Sequence, residues 1–398
     1  MSKTISDIAS VIDCLHATPE YSSSGYPMVR VENVKNDFLN LSECYLVDEA
    51  TCDYHNKNYT PKRDDIIITR VGSFGLIALV DTDDKFCLGQ NIAIISPYQN
   101  GKFLYYYLQS PYIQKFIHGN SGGSSYKSLS LEHIKRLPLV IDGLKISKIE
   151  SILYNIDTKI HNNNAICADL EGMAKLLYDY WFVQFDFPDE NGKPYKSSGG
   201  KMVWNEELKR EIPYGWEVKP LSAVFDITMG SSPSGAFLNE NGDGIEFYQG
   251  STDFGNIYPT KRVYTTAPVR FSKAQDVLLS VRAPVGTMNI AMNDCCIGRG
   301  LAAIHHFSTM FAWNTMLTFS AYFDIFNNNG TTFGALTSDD LKGQLSAVPP
   351  ENLINKYHGT TIAIEKQIRN LSKENQQLAS LRDFLLPMLM NGQVKIKE

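Results

Sequence analysis

Two long stretches of the chain carry their apolar residues at alternating spacings of three and four, the period of a helix that buries one narrow stripe. The first runs through Ile149, Ile152, Ile156, Ile160, Asn163, Cys167, Leu170, Ala174, Leu177 and Trp181, and the second through Thr361, Ile364, Ile368, Leu371, Asn375, Leu378, Leu381 and Leu385. About 38 residues at 1.5 Å each predict a rod of roughly 57 Å. A helix that long needs a partner along its seam, and the other stretch is the obvious one, paired antiparallel about a pseudo-twofold axis. Asn375 then either sets the register of the pair or is a polar residue the seam tolerates.

Outside these helices the hydrophobic pattern repeats itself at a shift of roughly 210 residues. DIIITRVGSFG at 65–75 matches DVLLSVRAPVG at 276–286, and CLGQNIAII at 87–95 matches CIGRGLAAI at 296–304. Each reads as a buried strand, a glycine turn and a second strand. GSSYKSLSLEHIK at 123–135 matches GTTFGALTSDDLK at 330–342, a glycine-hydroxyl loop leading into a capped helical turn. Units this long predict two homologous domains and not a solenoid. Between them, FDFPDENGKPYKSSGGKMVWNEELKREIPYGW is rich in Pro, Gly and Ser and reads as a linker with turns.

The composition, 43% hydrophobic and 20% charged, excludes disorder and collagen-like structure. The amino terminus MSKTISDIAS has neither a basic leader nor an apolar core, and no apolar run reaches about 18 residues, so a cytoplasmic protein without a membrane span is expected. Seven cysteines without CxxC spacing read as free thiols. The net charge of −6 argues against nucleic acid, but it is unevenly spread: −8 over residues 151–260 and +4 over 261–398.

Catalytic signatures are missing. GGSSYKS at 122–128 lacks the glycine before lysine that a phosphate loop needs. No GxGxxG follows a strand, and no Asn/Asp-Pro-Pro-aromatic tetrapeptide is present to grip a flipped base. Pro188-Asp189 and Glu190 sit in a glycine-rich linker instead of on a strand that could hold magnesium. His305 and His306 are adjacent on a strand and point to opposite faces, so they cannot share a metal. No metal site and no catalytic residue are expected.

The string from Leu177 to Ser234, LYDYWFVQFDFP through IPYGWE to MGSSPS, closely resembles the central conserved region of specificity subunits of type I restriction-modification systems. FYQGSTDFG, VRAPVG and the closing LRDFLLPMLMNGQV extend the likeness over essentially the whole chain. The first half departs from it by starting at Ile5-Ser-Asp-Ile without an IPxGW-type lead. The resemblance implies an α+β architecture in which two mixed α/β target recognition domains are separated by two long antiparallel coiled-coil helices. It implies a non-catalytic subunit whose two domains each read one half of a bipartite site on double-stranded DNA. Two methyltransferase subunits would dock on it, with restriction subunits joining them. S-adenosylmethionine, ATP and magnesium would be held by those partners, which supply adenine-N6 methylation and ATP-dependent cleavage. The domains are expected at 1–145 and 215–350, the helices at 146–187 and 351–390, with a linker at 188–214 and a tail at 391–398. The rival reading is a coiled-coil scaffold whose heads bind protein, in keeping with the acidic net charge.

Aligned but divergent positions of the two halves are the candidates for reading DNA. Arg30 stands against Gln249; arginine suits guanine and glutamine suits adenine in the major groove. Arg70 and Ser73 stand against Arg282, and Gln90 against Arg299, with Ser251 and Thr252 following Gln249. Each arginine serves either DNA or a structural hydrogen bond or ion pair. Ser124, Ser125 and Lys127 in the first glycine-hydroxyl loop, and Thr331 and Thr332 in the second, are suited to phosphate, though plain turns use the same residues. The cluster Tyr178, Tyr180, Trp181 and Phe182 suits either a core or an anchor for a partner subunit.

Overall fold

The structure, a computed structural model, describes residues 3–119, 128–141, 143–328 and 334–394. The chain forms two compact units, Met1–Ile160 with Gln377–Glu398, and His161–Gln376.

In the first unit the isoleucine run Ile66–Thr69 is the inner strand of a four-stranded antiparallel sheet ordered Ala9–Asp13, Ile92–Pro97, Ile66–Thr69, Ile77–Leu79. Successive side chains on a strand face opposite ways, and here both faces are covered. Ile66 and Ile68 share a core with Phe103, Tyr106 and Ile113 of the helices Gly101–Gln109 and Pro111–Gly119. Ile67 joins Val29 and Leu88 on the other side. Those two belong to a three-stranded sheet, Tyr45–Val47, Tyr26–Val29 and Cys87–Leu88, whose last two strands run parallel. Burial on both faces is why the run shows no polar alternation.

The second unit repeats this layout. Its four-stranded sheet is ordered Asp226–Met229, Leu301–His305, Val277–Ser280, Met288–Ile290, and its other sheet, here of five strands, again pairs two strands in parallel, Ile245–Tyr248 with Cys295–Ile297. Val277 and Leu279 face the helices Thr309–Leu317 and Ser320–Asn328, while Leu278 faces Tyr248 and Ile297. The duplication in the sequence is thus a duplication of topology.

The segment expected to be a linker with turns contains a hairpin, Met202–Asn205 with Arg210–Pro213. Ile212 is buried in the second core, and Phe187 stacks on both Tyr195 and Trp216 at 4.7 and 5.6 Å.

The first long helix is Ile146–Tyr178, extended by a wider π turn over Asp179–Val183, and the second is Glu351–Met390. In the second unit Tyr357 Oη donates to the Ala174 carbonyl at 3.1 Å and the Cys167 thiol faces the Ile368 carbonyl at 3.9 Å. Deeper still, Asn163 Nδ2 donates to Asn375 Oδ1 and to Glu374 Oε2, both at 2.8 Å. Partner numbers rise along one helix as they fall along the other. Asn375 also donates to Asn164 Oδ1 at 2.8 Å, so the polar residue in the seam is part of an amide cluster across it.

In the first unit the contact line differs from the expected one. Leu153 and Asp157 are buried where Ile152 and Ile156 were expected, and on the other helix Arg382 meets Asp157 at 2.9 Å while Leu381 is exposed. An ion pair occupies the seam there, and a search for apolar periodicity passes over it.

Burial of Glu171 on the first long helix pushes its carboxyl up from 4.5 to about 7. The folded state then holds a proton that the unfolded chain releases, so this contribution to stability is complete below about pH 4.5 and is lost as the pH rises through about 7. Glu171→Gln is expected to stabilise the second unit above pH 7 by about 1–3 kcal/mol and to have no effect near pH 4. All four tryptophans, at 181, 204, 216 and 313, lie in that unit, so their fluorescence during urea unfolding at the two pH values checks it.

Candidate nucleic-acid interface

The parallel strand pair in each unit ends both of its strands at one edge. In the first unit the pairs Met28 with Cys87 and Val29 with Leu88 are followed by Arg30 on one strand and Gly89-Gln90 on the other. In the second, Phe247 with Cys296 and Tyr248 with Ile297 lead to Gln249 and Gly298-Arg299. The amide of Gly89 donates to Val29 and that of Gly298 to Tyr248, each at 2.8 Å, so the two turns are equivalent. The four-stranded sheet reaches the same edge: Arg70 N donates to Asn91 O at 2.8 Å, and Val281 N to Gly300 O at 2.9 Å. The chain returns there once more through the bridges Val71 to Ser128 and Arg282 to Ala335. Ser124, Ser125, Lys127, Thr331 and Thr332 lie outside the described residues. All the other DNA-reading candidates stand on these edges or in the turns beside them.

Their side chains are held differently. The Arg30 guanidinium lies over the exposed rings of Tyr45 and Tyr21, 5.1 and 5.8 Å from their centroids, and 3.4 Å from Glu32. Arg70 is turned inward: only 18% exposed, it pairs with Asp13 and donates from Nε to the Leu129 carbonyl at 3.1 Å. That makes it a brace, and its counterpart in the second unit is Val281, while Arg282 corresponds to Val71. Ser73 is exposed in its turn, and its carbonyl accepts from Thr69 Oγ1 at 2.6 Å. Gln90 is exposed. Gln249 is exposed with its Oε1 accepting from Ser232 Oγ at 2.8 Å, and the same Oγ faces the Arg299 amide at 3.3 Å. Thr252 is exposed and Ser251 half-buried in the turn Ser251–Asp253, which Arg262 secures by donating to the buried Asp253 at 2.7 Å.

Ion pairing separates the arginines. Arg63, Arg70, Arg262 and Arg382 are each paired to a carboxylate. Arg282 and Arg299 are exposed, and among the described residues their side chains have no hydrogen-bond or ion-pair partner. An acidic protein that leaves these two cations free at one edge presents a local attraction for anions. Asp13, Cys14 and His16 bring ligand-type atoms within 4.8 Å of one another, but Asp13 is already the partner of Arg70 and burial pushes the Cys14 thiol up, away from the thiolate a metal needs.

Of the aromatic cluster, Tyr178, Trp181 and Phe182 are core. Tyr178 Oη shares a hydrogen bond with Thr315 Oγ1 at 3.0 Å, and all three rings meet Tyr357. Only Tyr180 shows its ring, and it continues an exposed apolar stripe of Met173, Leu176 and Val183. This stripe lies outside the seam, and its spacing of three, four and three was legible in the sequence as a second apolar face.

Comparison with known proteins follows the repeat. The family described as Type I restriction modification DNA specificity domain matches residues 1–171 and again 213–371. The MjaX specificity subunit described for a type I restriction enzyme of Methanocaldococcus jannaschii is 28% identical over 411 residues, covering 99% of this chain and 93% of that one. The MjaIX specificity subunit of the same organism is 25% identical over 354 residues, covering 84% and 78%. The type I restriction-modification S subunit from M. genitalium shares the fold, with a TM-score of 0.53 at 16% identity over 98% of this chain and 95% of that one. With one family match on each copy of the duplicated fold, and relatives described as specificity subunits, this chain belongs to the type I restriction-modification DNA specificity family and is a specificity subunit.

Proposed function

We propose that the chain reads a bipartite site on double-stranded DNA, one half with each duplicated unit, through the strand-end edges that carry Arg30 and Gln90 in one and Gln249, Arg282 and Arg299 in the other. The observation that carries this reading is a strand-end edge built twice in an otherwise acidic chain, which in the second unit presents two exposed, unpaired arginines, Arg282 and Arg299. Arg30, Gln90, Gln249 and Arg299 would face bases. Ser73, Ser251, Thr252 and Arg282, with Ser124, Ser125, Lys127, Thr331 and Thr332, would position the backbone. The readers correspond to 1–145 and 215–350. The helices at 146–187 and 351–390 act as an antiparallel coiled-coil spacer in a pseudo-twofold repeat, with 188–214 as connection and 391–398 as tail.

Two methyltransferase subunits carrying S-adenosylmethionine dock on this subunit, and the stripe Met173, Leu176, Tyr180 and Val183 offers them an apolar surface. Restriction subunits bring ATP and magnesium. The assembly works in the cytoplasm; among the described residues no helix is long and apolar enough to cross a membrane.

To test this, the chain is co-produced with its methyltransferase partner and methylated adenines are mapped. Replacing residues 1–145 by the equivalent part of a related subunit is expected to change one half of the motif and leave the other intact. A change in both halves would show that the units are not independent readers.

A further inference from the structure

The two edges use the same two residue types in exchanged places. Position 30 is arginine and position 90 glutamine in the first unit; their equivalents in the second are Gln249 and Arg299. The intervening glycine keeps each strand-end side chain close to its neighbour. A Cβ at Gly298 would come within 2.7 Å of Gln249 Oε1, and one at Gly89 within 3.3 Å of Arg30 Cγ. The side chain at the first position therefore lies across the turn that carries the second. Each is also held in place by its surroundings, Arg30 by Tyr21 and Tyr45, and Gln249 by Ser232, which leaves the amide Nε2 of Gln249 free to donate.

Resting on the DNA-reading proposal above, we infer that these couples form a two-position reader: each half-site contains one guanine, addressed by the arginine, and one adenine, addressed by the glutamine, and their order is exchanged between the two half-sites. Arginine donates two hydrogen bonds to guanine O6 and N7, and a glutamine amide both donates to N7 and accepts from N6 of adenine. Neighbouring strands stand about 4.8 Å apart, against a rise of about 3.4 Å per base pair, so the two bases lie within two steps of each other. Seen from its own unit, the first half-site presents guanine at the strand-end position and adenine at the turn position, and the second presents them the other way round.

The test uses the full chain assembled with its methyltransferase partner, with the methylated motif mapped for wild type and for Arg299→Ala, Arg299→Lys, Gln249→Ala, Arg30→Ala and Gln90→Ala. The expected wild-type motif has a guanine and an adenine within two steps in each half. Arg299→Ala should relax the guanine of the second half-site, lowering discrimination there on the order of ten- to a hundredfold, while Arg299→Lys, whose ammonium still donates to guanine, should retain part of it. Gln249→Ala should relax its adenine, and the first-unit variants should do the same in the other half. Duplex binding by the assembled variants, measured against base-substituted sites, gives the same answer if methylation falls below detection. Uniform weakening of Arg299→Ala with no position relaxed would mark Arg299 as a phosphate contact and overturn the inference. A wild-type complex that methylates without any motif would instead overturn the DNA-reading proposal beneath it.

Discussion

Arg382→Ala is expected to destabilise the first unit by about 3–5 kcal/mol, the usual cost of removing one partner of a buried ion pair. The side chain of Asp157 is 4% exposed, and its two oxygens are taken by Tyr106 Oη at 2.6 Å and Arg382 Nη1 at 2.9 Å. Without the guanidinium the carboxylate loses the Arg382 charge in a poorly solvated site. Both long helices depend on this pair within the unit, together with Ile149, Leu153, Leu386 and Leu389, and the helix Gly101–Gln109 enters through Tyr106. Hydrogen exchange across residues 101–109 and 149–157 is expected to speed up in proportion. The double variant Asp157→Asn, Arg382→Met is expected to recover most of the loss, since it removes both charges. Unaltered protection in Arg382→Ala would show that the pair contributes nothing.

Gly230→Ala is expected to damage the second reader while sparing the first. A Cβ there would stand 2.1 Å from the Gly298 carbonyl oxygen and 2.9 Å from that of Ile297. Both are backbone atoms, so the strand Asp226–Met229 and the turn carrying Arg299 must move apart. Ser231 N now donates to Ile297 O at 3.0 Å, and Ser232 joins Gln249 to the Arg299 amide; both connections would be strained. Overpacking of this kind costs about 1–3 kcal/mol, and the readout is specificity as well as stability. The methylated motif should lose definition in the second half only. An unchanged motif would mean that this edge does not read DNA.

The two strand-end edges differ in how far the sequence betrays them. CLGQNIAII against CIGRGLAAI already exposes the exchange of glutamine for arginine, because the flanking apolar positions align the two strands unambiguously. Arg70 and Arg299 look alike on that level. They part only when Asp13, 57 residues away, folds against Arg70 and finds no counterpart beside Arg299. The aromatic cluster is a similar case: four neighbouring rings at 178–182 give no sign of which one the helix turns outward, and packing against Tyr357 and Phe311 leaves only Tyr180 exposed.

What the sequence by itself determined is everything carried by period and repetition. The strands buried on both faces, the two long helices, the duplicated order of elements and the family all follow from residues whose meaning is local or recurs at a constant shift. Tertiary structure alone decided which charges are spent and which remain. It moved part of the helix contact line from Ile152 and Leu381 to Leu153 and Arg382, because Asp157 and Arg382, 225 residues apart, neutralise one another in the seam. It turned Arg70 inward and left Arg282 and Arg299 on the edge. Apolar burial leaves a periodic trace because each residue is selected for the same solvent-averse face. Ion pairing leaves none, because it depends on a single partner whose distance along the chain is arbitrary.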